Sequence, residues 1–135
     1  MQPATRIAEP FPGGIMTLEF EFNDEHDYLV ATLPDTTINS QRARAVFESI
    51  HGLCRQYNCR KVLVNELALE NRKIPSHELR AISEIIADLH LALLCRPELI
   101  DSHARLLSAM TFTDDYRVRH FSVEHEAVDW LLRQH

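Results

Sequence analysis

The stretch that decides the fold runs from KVLVN at Lys61–Asn65, through an amphipathic segment from Pro75 to Leu89, to LALL at Leu91–Leu94. Val62, Leu63 and Val64 form a continuous apolar run, the mark of a strand covered on both faces. Leu79, Ile82, Ile86 and Leu89 recur at helical spacing and leave the polar residues on the opposite side. Leu91 to Leu94 repeats the buried-strand pattern. A strand, a helix and a strand in that order make a right-handed crossover with parallel strands. No glycine occurs between Arg60 and Leu132.

Working outward, Leu18, Phe20 and Phe22 alternate with Thr17, Glu19 and Glu21, which reads as a half-buried strand. Asn23–His26 is a polar turn, and Tyr28 to Leu33 is a second strand, so the pair forms a hairpin. A helix is expected from about Asn39 to Tyr57, capped by Asn39 or Ser40. Ala43, Val46, Phe47, Ile50, Leu53, Cys54 and Tyr57 lie on its apolar face. Leu67 to Lys73 reads as a polar connection. Pro97 starts another helix, running to about Met110 with Leu99 facing inward. Val118 to Phe121 is a short strand. A last helix follows, capped by Ser122, with Glu124 and Glu126 in its first turn and Val128, Leu131 and Leu132 packing it down.

The expected architecture is α/β: a mixed five-stranded sheet, an N-terminal hairpin plus parallel strands, flanked by four helices. Residues 1–14 hold Pro3, Pro10, Pro12, Gly13 and Gly14 and read as a flexible leader, with one domain over residues 15–135.

The formal net charge of −6 argues against nucleic acid or an anionic membrane surface as the main partner. No apolar run is long enough for a membrane-spanning helix. The N-terminal residues lack the basic and apolar regions of a secretory signal. The three cysteines, Cys54, Cys59 and Cys95, therefore read as reduced thiols in the cytoplasm.

Gly52 is the only glycine after Gly14. A dinucleotide fingerprint, a P-loop and a nucleophile elbow all need several glycines, so none is present. The eight histidines are scattered and no two share a helix face four residues apart, so no metal site is expected and surface histidines are the simpler reading. Ser76, His77 and Glu78 are adjacent at a helix start and point apart, which suits a cap rather than a triad. Glu66 and Glu70 follow a buried strand at the carboxyl edge, where α/β sheets bind ligands, and with Asn65 they can line a shallow cleft; a solvated loop is the simpler reading. No catalytic residue and no cofactor is assigned.

The segment Arg117–Leu131 resembles the closing motif of small bacterial STAS-like proteins of the SpoIIAA-like group. Val118, Arg119 and Phe121 match the group's V-R-x-F strand, and Glu126, Ala127, Trp130 and Leu131 match its E-A-x-x-W-L helix. Lys61–Asn65 is similar to the group's central strand, which commonly ends in aspartate where this chain has Asn65. The resemblance spans roughly residues 17 to 133. It implies a STAS-like α/β fold, usually without enzymatic activity. In the phosphorylated anti-sigma-factor antagonists, a serine lies in an Asp-Ser-Ser-Gly turn before the second helix. Ser76 stands in the corresponding stretch, Lys73–Leu79, without the aspartate or the glycine.

The expected function is a non-enzymatic cytoplasmic module that acts through protein contacts. The alternative is a binder of a small apolar or amphipathic ligand between the sheet edge and the helices. Asn65, Glu66, Ser76, His77 and Leu99 are the expected ligand or partner surface. Phe112, Tyr116, Trp130 and Leu132 supply either a homodimer interface or closure over the chain's own core.

Overall fold

A computed structural model describes residues 5–11, 16–69, 71–73, 81–82, 84–98 and 118–134. Eight strands and two fully bounded helices follow in the order β1 (Thr5–Pro10), β2 (Thr17–Asn23), β3 (Tyr28–Thr32), β4 (Thr37–Asn39), α1 (Ser40–Gln56), β5 (Lys61–Asn65), β6 (Asn71–Lys73), β7 (His90–Leu94), β8 (Val118–Phe121) and α2 (Glu124–Leu132). Six strands form one sheet in the order β1-β2-β3-β5-β7-β8, and β4 pairs with β6 apart from it. The first three strands are antiparallel. From β3 onward every pairing in this sheet is parallel.

The mixed α/β class agrees with the sequence, but the sheet has six strands, not five. The extra strand comes from the expected leader. Thr5 to Pro10 pairs with β2, and Ile7 lies opposite Phe20. Pro10 ends an edge strand, a position where its missing N–H removes no ladder bond. Phe11 follows, buried in the core, and its N–H donates to the Met16 carbonyl at 2.7 Å.

The expected four helices are not matched. Two helices have full bounds among the described residues. Residues 74–80, 83 and 99–117, where most of the other two were expected, lie outside the described residues. Ile82, Ile86 and Leu89 do enter the core as their spacing required. The β4–β6 pair was not legible, because three residues are too short to show a period.

The sheet divides the interior into two apolar layers. On one face Leu18, Phe20, Phe22, Leu29, Ala31, Val62, Val64, Leu91 and Leu93 pack against Ala43, Val46, Ile50 and Leu53 of α1. On the other, Leu63, Ala92 and Leu94 pack against Ala127, Trp130 and Leu131 of α2. Val62–Val64 and Leu91–Leu94 supply both layers, which is why they read as unbroken apolar runs.

Local chemistry sets the element ends. Asn23 Oδ1 accepts from the His26 N–H at 3.0 Å, and Asp27 takes a left-handed conformation (φ 53°) to close the β2–β3 turn. Asn39 caps α1 by accepting from the Arg42 N–H at 2.9 Å. The expected Ser122 cap is corrected: Val123 holds that position with no side-chain cap bond, and Glu124 and Glu126 instead complement the positive end of α2. Trp130 is buried against Phe121 and His90, so it closes over the chain's own sheet. Leu132 is exposed, and Phe112 and Tyr116 lie outside the described residues.

Candidate functional site

The carboxyl ends of β5 and β7 lie side by side, each hydrogen-bonded to its neighbour one residue past the regular ladder. The Glu66 N–H donates to the Leu94 carbonyl at 2.7 Å, and the Cys95 N–H donates to the Phe121 carbonyl at 2.9 Å. Asn65 Oδ1 accepts from the Leu67 N–H at 3.1 Å, forming an Asx turn that reverses the chain. The Asn65 carbonyl accepts from the Leu33 N–H at 3.0 Å. Asn65 thus shapes the loop.

Glu66 is the only buried charged residue among the described ones. Arg96 crosses the same edge, donating from Nη2 to the Leu69 carbonyl at 2.6 Å, with Nη1 3.7 Å from Glu98. Leu67 and Ala68 stand exposed at the apex of the loop. Of the five residues expected at this surface, the structure brings Asn65 and Glu66 together. Ser76, His77 and Leu99 lie outside the described residues, as does Glu70.

A second cluster lies at the opposite edge, where α1 gives way to β5. Asn58 is left-handed (φ 52°), the Cys59 N–H donates to the Cys54 carbonyl at 2.8 Å, and the Asn58 N–H donates to the Arg55 carbonyl at 3.3 Å. This paired pattern is a Schellman turn, and asparagine is one of the few residues that tolerates its left-handed position. Asn58→Val is expected to cost about 1–2 kcal/mol, read as a lower denaturation midpoint, whereas Asn58→Gly should hold that midpoint or raise it.

The turn brings the Cys54 and Cys59 thiols into a shared hydrogen bond. That bond, with the N–H groups of Lys61 and Leu29, lowers the Cys59 pKa to about 7 against the opposing effects of burial and the Asp27 charge. The same bond, with burial and the charges of Cys59 and Asp88, pushes the Cys54 thiol up. Cys59 Sγ lies 3.2 Å from the Lys61 carbonyl and 3.4 Å from the Asp27 carbonyl, to which the protonated thiol donates. His51, Arg55, Asn58, Arg60, Asp88 and Leu89 line, with the two cysteines, a cavity of about 250 Å³. His51 Nε2 lies 3.4 Å from Asp88 Oδ1.

These shifts fix a pH dependence. Below pH 7 both thiols are protonated whether the chain is folded or not. Between pH 7 and about 8.5, the ordinary thiol value, the folded chain has lost a proton that the unfolded chain keeps, so stability rises with pH. Above that, the unfolded chain loses both protons and the folded chain only one, so stability falls. The rise is expected to be about 1–2 kcal/mol, measured by urea denaturation across pH, and to vanish in Cys59→Ala.

From the sequence, Cys54 and Cys59 read only as reduced thiols. Among the described residues no group of three or more His, Cys, Asp or Glu stands where it could hold a metal ion. A further cavity of about 380 Å³ is lined by Arg6, Ile7, Ala8, Glu19, Phe20, Glu21 and Thr32. Neither cavity lies at the β5–β7 edge.

Comparison with protein families finds no matching family model. Comparison with curated proteins finds no match either. Comparison with solved structures does find matches. The anti-sigma factor antagonist SpoIIAA in its unphosphorylated form superposes with a TM-score of 0.52 at 14% identity, covering 87% of this chain and 99% of that one. The fold is SpoIIAA-like. A DUF3478-family protein from Shewanella loihica PV-4, itself described as SpoIIAA-like, superposes with a TM-score of 0.53 at 12% identity, covering 97% of each chain. Both likenesses run over nearly the whole chain, so the SpoIIAA-like assignment rests on the full sheet and not on the closing motif alone.

Proposed function

We propose that this chain is a regulatory, non-enzymatic protein-interaction module of the cytoplasm. The observation that carries the reading is the likeness to SpoIIAA, a fold whose solved example is described as an anti-sigma factor antagonist. Asn65 and Glu66 are engaged in shaping the carboxyl edge, which suits a surface for recognition more than a centre for chemistry. No described helix is long and apolar enough to cross a membrane.

The partner surface we assign to this edge comprises Asn65, Leu67 and Glu98 over the buried Glu66, extended by Ser76, His77 and Leu99 on the basis of the sequence. Exposed Leu67 supplies the apolar contact, and the neighbouring Arg96 and Glu98 supply charges that select the partner.

The test is crosslinked capture from source cells, followed by reconstitution with the purified partner. Wild-type protein should bind it stoichiometrically. Leu67→Asp combined with Glu98→Lys should weaken binding at least about tenfold, roughly 1.4 kcal/mol, with an unchanged melting temperature. A partner that binds the double variant as well as wild type would place recognition elsewhere.

A further inference from the structure

We propose that Cys54 and Cys59 form a hydroperoxide-sensitive dithiol site, in which Cys59 is oxidised and Cys54 resolves it to an intrachain disulfide. A Schellman turn commonly carries an apolar contact between the two residues that Cys54 and Cys59 occupy here. Any small apolar pair serves that contact, so packing alone does not call for two thiols. The turn holds the two residues together before any oxidation: the Cys59 N–H donates to the Cys54 carbonyl at 2.8 Å, and both residues line one cavity. The cavity that both residues line, about 250 Å³, far exceeds the roughly 30 Å³ that a water molecule occupies in the liquid. It admits a hydroperoxide although both side chains are largely shielded. Arg55 and Arg60 line it together with the Asp88 carboxylate, so the site carries positive charge for the departing hydroxide beside one negative group. The different acidities of the two thiols match these roles: Cys59 attacks, and Cys54 keeps its proton until the second step.

The chemistry balances. The Cys59 thiolate attacks one peroxide oxygen, an S–O bond forms and the O–O bond breaks. The departing hydroxide takes up the proton that the Cys59 thiol had released, giving water. The Cys54 sulfur then attacks the sulfenic sulfur, an S–S bond forms and the S–O bond breaks. The second hydroxide leaves with the Cys54 proton as water. Two thiols are oxidised by two electrons, and one peroxide is reduced to two waters.

Cys95 is a built-in control. It is fully buried at the end of β7 and lines neither of the two cavities. The test treats the reduced full-length protein at pH 7 with a small excess of hydrogen peroxide. Remaining thiols are then blocked with iodoacetamide and the peptides mapped by mass spectrometry. The expected product is a Cys54–Cys59 disulfide within one chain, with Cys95 alkylated. It should form about threefold faster than free cysteine is oxidised, since the larger thiolate fraction outweighs the lower nucleophilicity of a more acidic thiol. Cys54→Ala should leave Cys59 as a sulfenic acid that dimedone traps. Oxidation of Cys95 first, a disulfide between chains, or pair oxidation no faster than free cysteine would each overturn the proposal. The wild-type mapping decides this even if the variant does not fold.

Discussion

Leu131→Ala should destabilise the protein by roughly 2–5 kcal/mol. Leu131 is fully buried in the smaller apolar layer, packed with Leu63, Ala92, Leu94, Ala127 and Trp130. That layer is the main anchor of α2, whose start has no side-chain cap. Truncation leaves a cavity against β5 and β7, the two central parallel strands, which cannot collapse without shifting the sheet. Urea denaturation reads the loss as a lower midpoint at constant slope. A change below about 0.5 kcal/mol would mean that α2 is peripheral to the fold.

Phe11→Ala should cost a comparable amount, about 3–5 kcal/mol. Phe11 directly follows β1, is 2% exposed and belongs to the larger apolar layer, with the Arg42 guanidinium 5.9 Å from its ring centre. The substitution separates two views of the N-terminal residues. If residues 1–14 were a loose leader, the loss would stay within about 0.5 kcal/mol. If β1 docks through Ile7 and Phe11, the loss is that of a core aromatic.

These two residues also mark where the sequence was readable. The Leu131 environment was legible in part: of Val128, Leu131 and Leu132, expected to pack the helix down, Leu131 is buried and Val128 partly so, while Leu132 is exposed and Ala127 and Trp130 complete the contact. The central strands were legible because burial on both faces leaves only apolar residues at Val62–Val64 and Leu91–Leu94. The edge was not. Pro3, Pro10 and Pro12 and the Gly13–Gly14 pair read as breakers, yet an edge strand can end at proline because nothing beyond it needs the N–H. Length hid β4 and β6, whose three residues each are held by pairing and not by a hydrophobic period.

At the candidate site, Asn65 and Glu66 were singled out because they follow a buried strand at the edge where α/β sheets bind. What the sequence concealed was their state: the Asn65 oxygen is committed to an Asx turn and Glu66 is buried. The thiol pair was hidden for a different reason. Cysteines five apart are not neighbours on a straight helix. They meet because the helix ends between them, and the signal was Asn58, a residue suited to the left-handed position that ends it.

Amide hydrogen exchange on the purified partner complex tests the interaction account most directly. Residues 65–69 and 94–98 should gain protection on binding, while β1, β2 and the α1–β5 turn stay as they are in the free chain. Protection confined to those other elements, with residues 65–69 and 94–98 unchanged, would contradict the assignment of the carboxyl edge as the binding surface.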